Sequence, residues 1–340
     1  MDLTLTDEQR QLRASYEELF ERECPITEVR RAEAEEGWSP RLWKRLADAG
    51  ITELGMPTAR GGQGAELLDC TFVAEAAGRH LAPVPLIDAI AAGRLLGRLE
   101  SIPAEVDGIV SQTTIAVSPE PIGAETCRLV PWGAAAQSLV AYDDRRVLIV
   151  RRHDAVSRRP EMSGGAVADW KLDDDTVRTT TIATGSEARQ QQDLLAADLA
   201  ALSAAWLVGL AASALDLAVA YTSERRAFDV PVASFQSVAH RLADLATAID
   251  GARMLAQEAA WTIDHDHDRG LSLAGMAVTF AAATALEAAT SCLHFHGGYG
   301  FMLEYDPQLY YRRAAAHALL YRVARHTDAL VDALSVDGGN

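Results

Sequence analysis

The C-terminal half limits most sharply what this chain can fold into. From Gln190 onward it is rich in Ala and Leu, with apolar residues recurring at helical spacing over runs much longer than an ordinary helix. The period predicts four long helices: Asp193 to Arg226, Phe235 to Asp264, Ser272 to Leu293, and Leu309 to about Leu334. Long helices with short links fold back on one another as an up-and-down bundle. The many alanines imply close helix approach, and contact with other subunits as well.

The first hundred or so residues read as shorter helices. Thr6, with Gln9 three positions on, forms a capping-box pattern that starts a helix through Leu12, Tyr16 and Phe20. Ser39-Pro40 pairs a capping hydroxyl with a proline at the first helical position, where its missing N–H is harmless. The helix that follows buries Leu42, Trp43 and Leu46 and stops at Gly50. Another runs from Leu67 to Arg79, and one more follows Pro85. Gly61-Gly-Gln-Gly64 reads as a flexible turn, because it lacks the following Lys and preceding strand of a phosphate cradle. Between about Gly108 and Gly185 the helical period gives way to short β-branched runs, 113–117, 138–142, 146–151 and 176–182, separated by Asp, Gly and Pro turns. The expected fold is mainly α with a small β-domain: an N-terminal helical domain (1–107), a central antiparallel β-domain (108–188) and a C-terminal four-helix bundle (189–340).

A formal net charge of −17 argues against a nucleic-acid partner, which needs clustered Lys and Arg. A local arginine pair can still receive a small anion. Cys24, Cys70, Cys127 and Cys292 are scattered, with no C-x-x-C spacing, and are expected to be reduced. The N-terminus is charged from the start, so no secretory signal is expected. No apolar run reaches the ~20 residues of a membrane span without interruption, so the expected location is the cytoplasm, with no membrane partner.

Several motifs follow this order of parts. Leu46-Ala-Asp-Ala-Gly-Ile-Thr-Glu-Leu-Gly-Met-Pro57, Gly61-Gly-Gln-Gly64 and Glu75-Ala-Ala-Gly-Arg-His-Leu-Ala-Pro83 lie in the N-terminal part. Tyr221-x-x-Glu-Arg-Arg-x-Phe228, Pro231-Val-Ala-x-Phe-Gln236, His240-x-Leu-Ala-Asp244 and His296-Gly-Gly-Tyr-Gly-Phe301-x-x-Glu-Tyr305 lie in the bundle. In order and spacing they resemble the acyl-CoA dehydrogenases along nearly the whole chain. The resemblance implies FAD as cofactor, with a carboxylate that removes the thioester α-proton. It further implies that Arg225 meets the FAD pyrophosphate, with Phe228, Gln236 and His294 adjoining, and that Gly297-Gly298 lets backbone approach the cofactor. Singly, Arg225 could cap a helix and Gly297-Gly298 could be a tight turn.

The family's flavin-ring half is worn. Ser118-Pro-Glu-Pro-Ile-Gly123 is a remnant of one family loop, Trp132 and Trp170 lack the Asn of another, and the β-domain is short for the family. The two usual positions of the catalytic glutamate hold Tyr321 and Leu199, so no catalytic residue is assigned to this chain. Asp198 is one residue from the second position, but one step turns a helical side chain by about 100°, and it reads as a solvated or capping aspartate. Asp264-His-Asp-His-Asp268 reads as a solvated helix-end loop in preference to a metal site. His240 and His296 suit packing or hydrogen bonding.

This pattern resembles the short, non-catalytic subunit of actinobacterial heteromeric (α2β2) acyl-CoA dehydrogenases. A homologous catalytic subunit would then be the partner and an acyl-CoA, such as a steroid side-chain thioester, the substrate. Two alternatives stand beside it: a homo-oligomeric flavoenzyme with a relocated base, and a flavin-free, non-enzymatic assembly subunit.

Overall fold

The computed structural model of the chain describes residues 4–323, 325 and 326. Helices α1 (Asp7–Glu23), α2 (Ile26–Ala34), α3 (Pro40–Asp48), α4 (Leu67–Arg79), α5 (Leu86–Arg98) and the short α6 (Ile109–Gln112) come first. The Thr6–Gln9 capping box forms as expected, and Ser39 accepts from the Leu42 N–H at the start of α3. Gly50 follows α3 in the left-handed conformation.

The β region carries strands β1 (Ile115–Val117), β2 (Thr126–Val130), β3 (Ser138–Asp143), β4 (Arg146–Arg152), β5 (Ala168–Lys171) and β6 (Val177–Thr184). One sheet has the order β1-β3-β4-β6, and β2 pairs with β5 in a second, two-stranded sheet. The region is not wholly antiparallel. β1 runs parallel to β3, because the chain leaves for β2 between them and returns in the same direction. The central strands of the larger sheet are buried on both faces. Leu139, Ala141, Leu148 and Val150 pack with Cys127, Val130 and Trp170 of the smaller sheet, while Val140, Val147 and Ile149 pack on the helices. β3 and β4 are therefore largely apolar runs without alternation, whereas the edge strand β6 is polar and mostly unburied.

The bundle comprises α7 (Gly185–Glu224), α8 (Gln236–His265), α9 (His267–His296) and α10 (Pro307–Leu320). Between α7 and α8 the two-residue strands β7 (Arg226–Ala227) and β8 (Val230–Pro231) form a hairpin. The expected continuation of the last helix to Leu334 lies partly outside the described residues. α7 is the central helix. It packs on α8 and α9 and also on α4 and α5, so its apolar residues are not confined to one stripe. Two glycines set the α4–α7 approach: a Cβ on Gly78 would lie 1.9 Å from the Trp206 carbonyl oxygen, and one on Gly209 would lie 2.0 Å from the Glu75 carbonyl oxygen. Helices from both ends of the chain share one continuous core.

Two helices, Gly185–Glu224 and Arg269–Phe301, are long and apolar enough to cross a membrane by length and composition once charged interruptions such as Asp198 and Asp216 are tolerated. The most apolar window of the first is 89% buried inside the protein, which accounts for its composition without a membrane. The four cysteines are free and buried.

Candidate functional site

Two groups of residues singled out in the sequence occupy different parts of the molecule. The first surrounds Tyr321, at the C-terminal end of α10. Residues 313, 317 and 321 are four apart and share one face of that helix. The Tyr321 hydroxyl donates to Asp88 Oδ2 at 2.5 Å, and Trp132 Nε1–H donates to the Tyr321 oxygen at 3.2 Å. The other oxygen of Asp88 accepts from the Val117 N–H at 2.8 Å. One buried chain of hydrogen bonds thus ties α5, β1, the turn after β2 and the end of α10 together.

Burial raises the Asp88 carboxyl from the ordinary carboxylate range to about 7. Burial and the adjacent Asp88 push the Tyr321 phenol far above its ordinary value, so at neutral pH it is a donor and not a base. His317 stacks between Trp206 (centroids 4.6 Å apart) and Tyr321 (4.4 Å). Burial lowers its imidazole to about 3, so it is neutral.

Leu199 of α7 meets Tyr321 in one cavity, about 470 Å³ including its mouth, with Ser118, Tyr142, Gln192 and His326 also in its wall. The two positions where the family resemblance looks for a base therefore converge in space, and no carboxylate lines this cavity among the described residues. Burial drives Tyr142 up to about 12 and lowers His326, leaving a weakly basic imidazole. The remnant loop is held shut. Ser118 Oγ donates to the Glu120 carbonyl, and the Glu120 carboxylate pairs with Arg322 and Arg325, each at 3.0 Å.

Asp198 is neither solvated nor a cap. It is fully buried, at 3.2 Å from Arg94 and 2.7 Å from Arg98. Arg94 also pairs with Asp264 at 2.5 Å, and Asp264 accepts from the Leu67 N–H at 2.8 Å. The first residue of the 264–268 run is thus tied into the interior, and no metal-holding cluster is found among the described residues. Asp198 points at arginines of the N-terminal helices, and the α7 face beside Leu199 is separate from it.

The second group lies at the other end of the bundle. Arg225 terminates α7, and its exposed guanidinium makes no ion pair among the described residues. Phe228 and Asp229 form the hairpin tip with φ of +52° and +64°, as a two-residue turn requires. The Phe228 ring is 92% exposed, edge-on to Phe235 at 6.4 Å. Gln236 opens α8, whose N-cap residue, Phe235, supplies no side-chain cap. The first N–H groups of that long helix are left available to an anion. Exposed His294 shares a groove with Ser237 and Arg241. Gly297 ends α9 at φ +61°, and neither Gly297 nor Gly298 has any atom near the place of a Cβ, so this backbone is open to approach. His296 packs against Tyr221 (4.2 Å) and contacts the Cys292 carbonyl through Nδ1, in keeping with a packing role. His240 is exposed. These residues suit a dinucleotide phosphate and its adenosine: a free guanidinium, an uncapped helix start and an open glycine pair.

The acyl-CoA dehydrogenase C-terminal domain model matches residues 197–321, and the N-terminal domain model matches residues 6–97. The chain belongs to the acyl-CoA dehydrogenase family. The acyl-CoA dehydrogenase IpdE2 of Mycolicibacterium smegmatis is 31% identical over 93% of this chain and 95% of that protein. Among solved structures, the ChsE4–ChsE5 complex from Mycobacterium tuberculosis superposes with a TM-score of 0.86 at 23% identity, covering 98% of this chain and 99% of that one. A variant of the Tcur3481–Tcur3483 steroid ACAD gives 0.86 at 23% identity, covering 99% and 100%. At those identities the superpositions show the fold. Members of this acyl-CoA dehydrogenase family are FAD-binding flavoproteins, so the cofactor expected from the sequence is the family's. Sequence reasoning missed Asp88 and Trp132 as neighbours of Tyr321. The fixed helical spacing of Arg313, His317 and Tyr321 was the one available signal for this face.

Proposed function

We propose that this chain is the subunit of a heteromeric acyl-CoA dehydrogenase that grips the ADP end of FAD and scaffolds the assembly, while a homologous partner supplies the carboxylate base. Arg225, the Gln236 end of α8 and the Gly297-Gly298 backbone would hold the ADP end of FAD, which would supply the hydride acceptor for the thioester β-carbon. The observation that carries the reading is the cavity shared by Leu199 and Tyr321, whose wall offers no carboxylate among the described residues. Proton removal from a thioester α-carbon requires a positioned base. The carboxylate bonded to Tyr321, Asp88, is covered by that phenol, which burial holds protonated. Arg225, the Gln236 end of α8 and the Gly297-Gly298 backbone remain accessible for the phosphates.

Support for a partner comes from apolar side chains left exposed: Phe228, and Met254, Phe280 and Leu286 on α8 and α9. We extend the proposal to an α2β2 arrangement in the cytoplasm; a steroid side-chain thioester as substrate draws support from the likeness to a steroid ACAD. A second reading rests on Asp88, whose pKa near 7 would suit a base if Tyr321 swung aside. Purifying the chain alone and together with an adjacently encoded homologue separates the two. Flavin absorbance and acyl-CoA oxidation are expected only in the complex, and turnover by the single chain would defeat the proposal.

A further inference from the structure

A second cavity lies on the other side of Tyr321, enclosing about 700 Å³ including its mouth, between the α4–α5 connection, the β region, α7 and α10. Its wall is mostly apolar, with Leu81, Ala82, Val84 and Ile87 on one side. Trp206, His317 and Tyr321 form a stacked aromatic column on another. Arg313 and His317 are among the polar groups that break this apolar wall. Arg313 is 9% exposed and His317 8%, and Arg313 Nη1 and His317 Nε2 have no hydrogen-bond partner among the described residues.

The charge around Arg313 is also unbalanced. Glu33 lies 3.7 Å from Arg313 and 2.7 Å from Arg312, so one carboxylate serves two guanidiniums. A buried donor without a partner and a buried cation with half a counter-ion are both unfavourable, and a bound anion relieves both. Apolar walls with a few convergent polar groups are the usual make-up of a small-molecule site.

We infer that this cavity binds a small, flat, apolar carboxylate, its ring against the Trp206–His317–Tyr321 column and its carboxylate on Arg313. The inference is of binding alone: the site holds its ligand and changes no bond. The inference is independent of the heteromeric reading: its test needs neither flavin nor acyl-CoA.

The test uses the purified full chain, in the oligomer it forms, with benzoate as probe and benzamide and toluene as uncharged controls. Binding is followed by calorimetry and by tryptophan fluorescence, as Trp132 and Trp206 line the cavity. Benzoate is expected to bind about tenfold or more tightly than benzamide, as a charge-assisted pair in a dry site gives. Arg313→Met should bring the two probes within about threefold of each other, whereas Arg313→Lys should keep part of the preference. Ala82→Leu fills the cavity without touching the charge and should weaken both probes. Circular dichroism and melting establish that each variant is folded, and if Arg313→Met is not, the Lys and Leu variants decide. No saturable benzoate binding to the folded chain, equal affinity for benzoate and benzamide, or binding indifferent to Ala82→Leu would each overturn the inference.

Discussion

Gly78 and Gly209 fix how closely α4 and α7 can approach, and the effect of removing that freedom can be worked out. In Gly78→Ala the new methyl would sit 1.9 Å from the Trp206 carbonyl oxygen, a backbone atom that cannot rotate away. Reaching ordinary contact requires a displacement of roughly 1.5 Å, shared between helix separation and local adjustment, and a gap of even about 1 Å forfeits up to half of each contact's dispersion energy along the seam. Overpacking of this kind costs about 1–3 kcal/mol, with further loss from the opened interface. Replacing a mid-helix glycine by alanine returns about 1 kcal/mol of helix propensity. The net expectation is ~2 kcal/mol of destabilisation, or a melting point lower by roughly 3–6 °C for a chain of this size. Gly251→Ala on α8 is the matched control, because its Cβ would meet only the Phe280 ring edge at 3.6 Å. It should be neutral or slightly stabilising. Adding Gly209→Ala to Gly78→Ala should cost less than the sum of the two, since helices already parted accommodate the second methyl. Calorimetric melting of the four proteins checks this. A Gly78→Ala protein as stable as the wild type, or a control that falls equally far, would refute the account.

The remaining expectations concern the two polar networks and the ADP side. Asp88 has a folded pKa near 7, above its unfolded value near 4, so its neutral form fits the fold and the stability it contributes is lost as pH rises between those values. Asp88→Asn should flatten the stability-versus-pH curve over that window, by denaturant titration at a series of pH values. Tyr321→Phe leaves Asp88 Oδ2 and Trp132 Nε1 without partners and should lower stability by about 1–3 kcal/mol. In the complex it should leave acyl-CoA oxidation nearly unchanged if the partner supplies the base, and a loss of turnover beyond about tenfold would count against that. Asp198→Leu strands Arg98 and half of Arg94 in the interior and should destabilise by ~3 kcal/mol or more, measured by urea unfolding. Arg225→Ala should weaken FAD retention in the complex with little change in melting temperature of the apo-protein, because that side chain makes no ion pair among the described residues. Equilibrium dialysis of the flavin reads this directly.

The sequence made local features legible and left pairings at a distance obscure. The Thr6–Gln9 box and the Ser39-Pro40 start depend on residues within one turn, and both form as read. The ends of the long helices drifted by several residues: α7 begins at Gly185, eight before Asp193, because its first turns are polar and carry no apolar period. α2 was passed over, as was the β2–β5 pair, whose few β-branched residues leave no strand signature. The parallel β1–β3 pairing depends on a crossover that no local pattern encodes. Within the site, Leu199 and Tyr321 were singled out by position within a motif, and the fold does bring them together. What surrounds them was not readable, since Asp88 and Trp132 reach Tyr321 from remote segments. Asp198 and Asp264 looked like surface carboxylates because their arginine partners lie on α5, about a hundred residues or more away in sequence.

The core shared by the first and last helices sets a timetable for the chain's synthesis. α4 and α5 are made well before α7, the helix that covers them, and the whole β region is synthesised in between. At a translation rate of about 5–20 residues per second, their apolar faces wait for several seconds or longer without their cover. Over that interval Leu67, Phe72, Leu86, Ile90 and Leu95, all fully buried in the finished protein, must be shielded by local collapse or by a chaperone. The nascent chain is therefore most vulnerable to aggregation before α7 is made, and slowing translation through the β region should lower the yield of folded protein more than slowing it after Glu224.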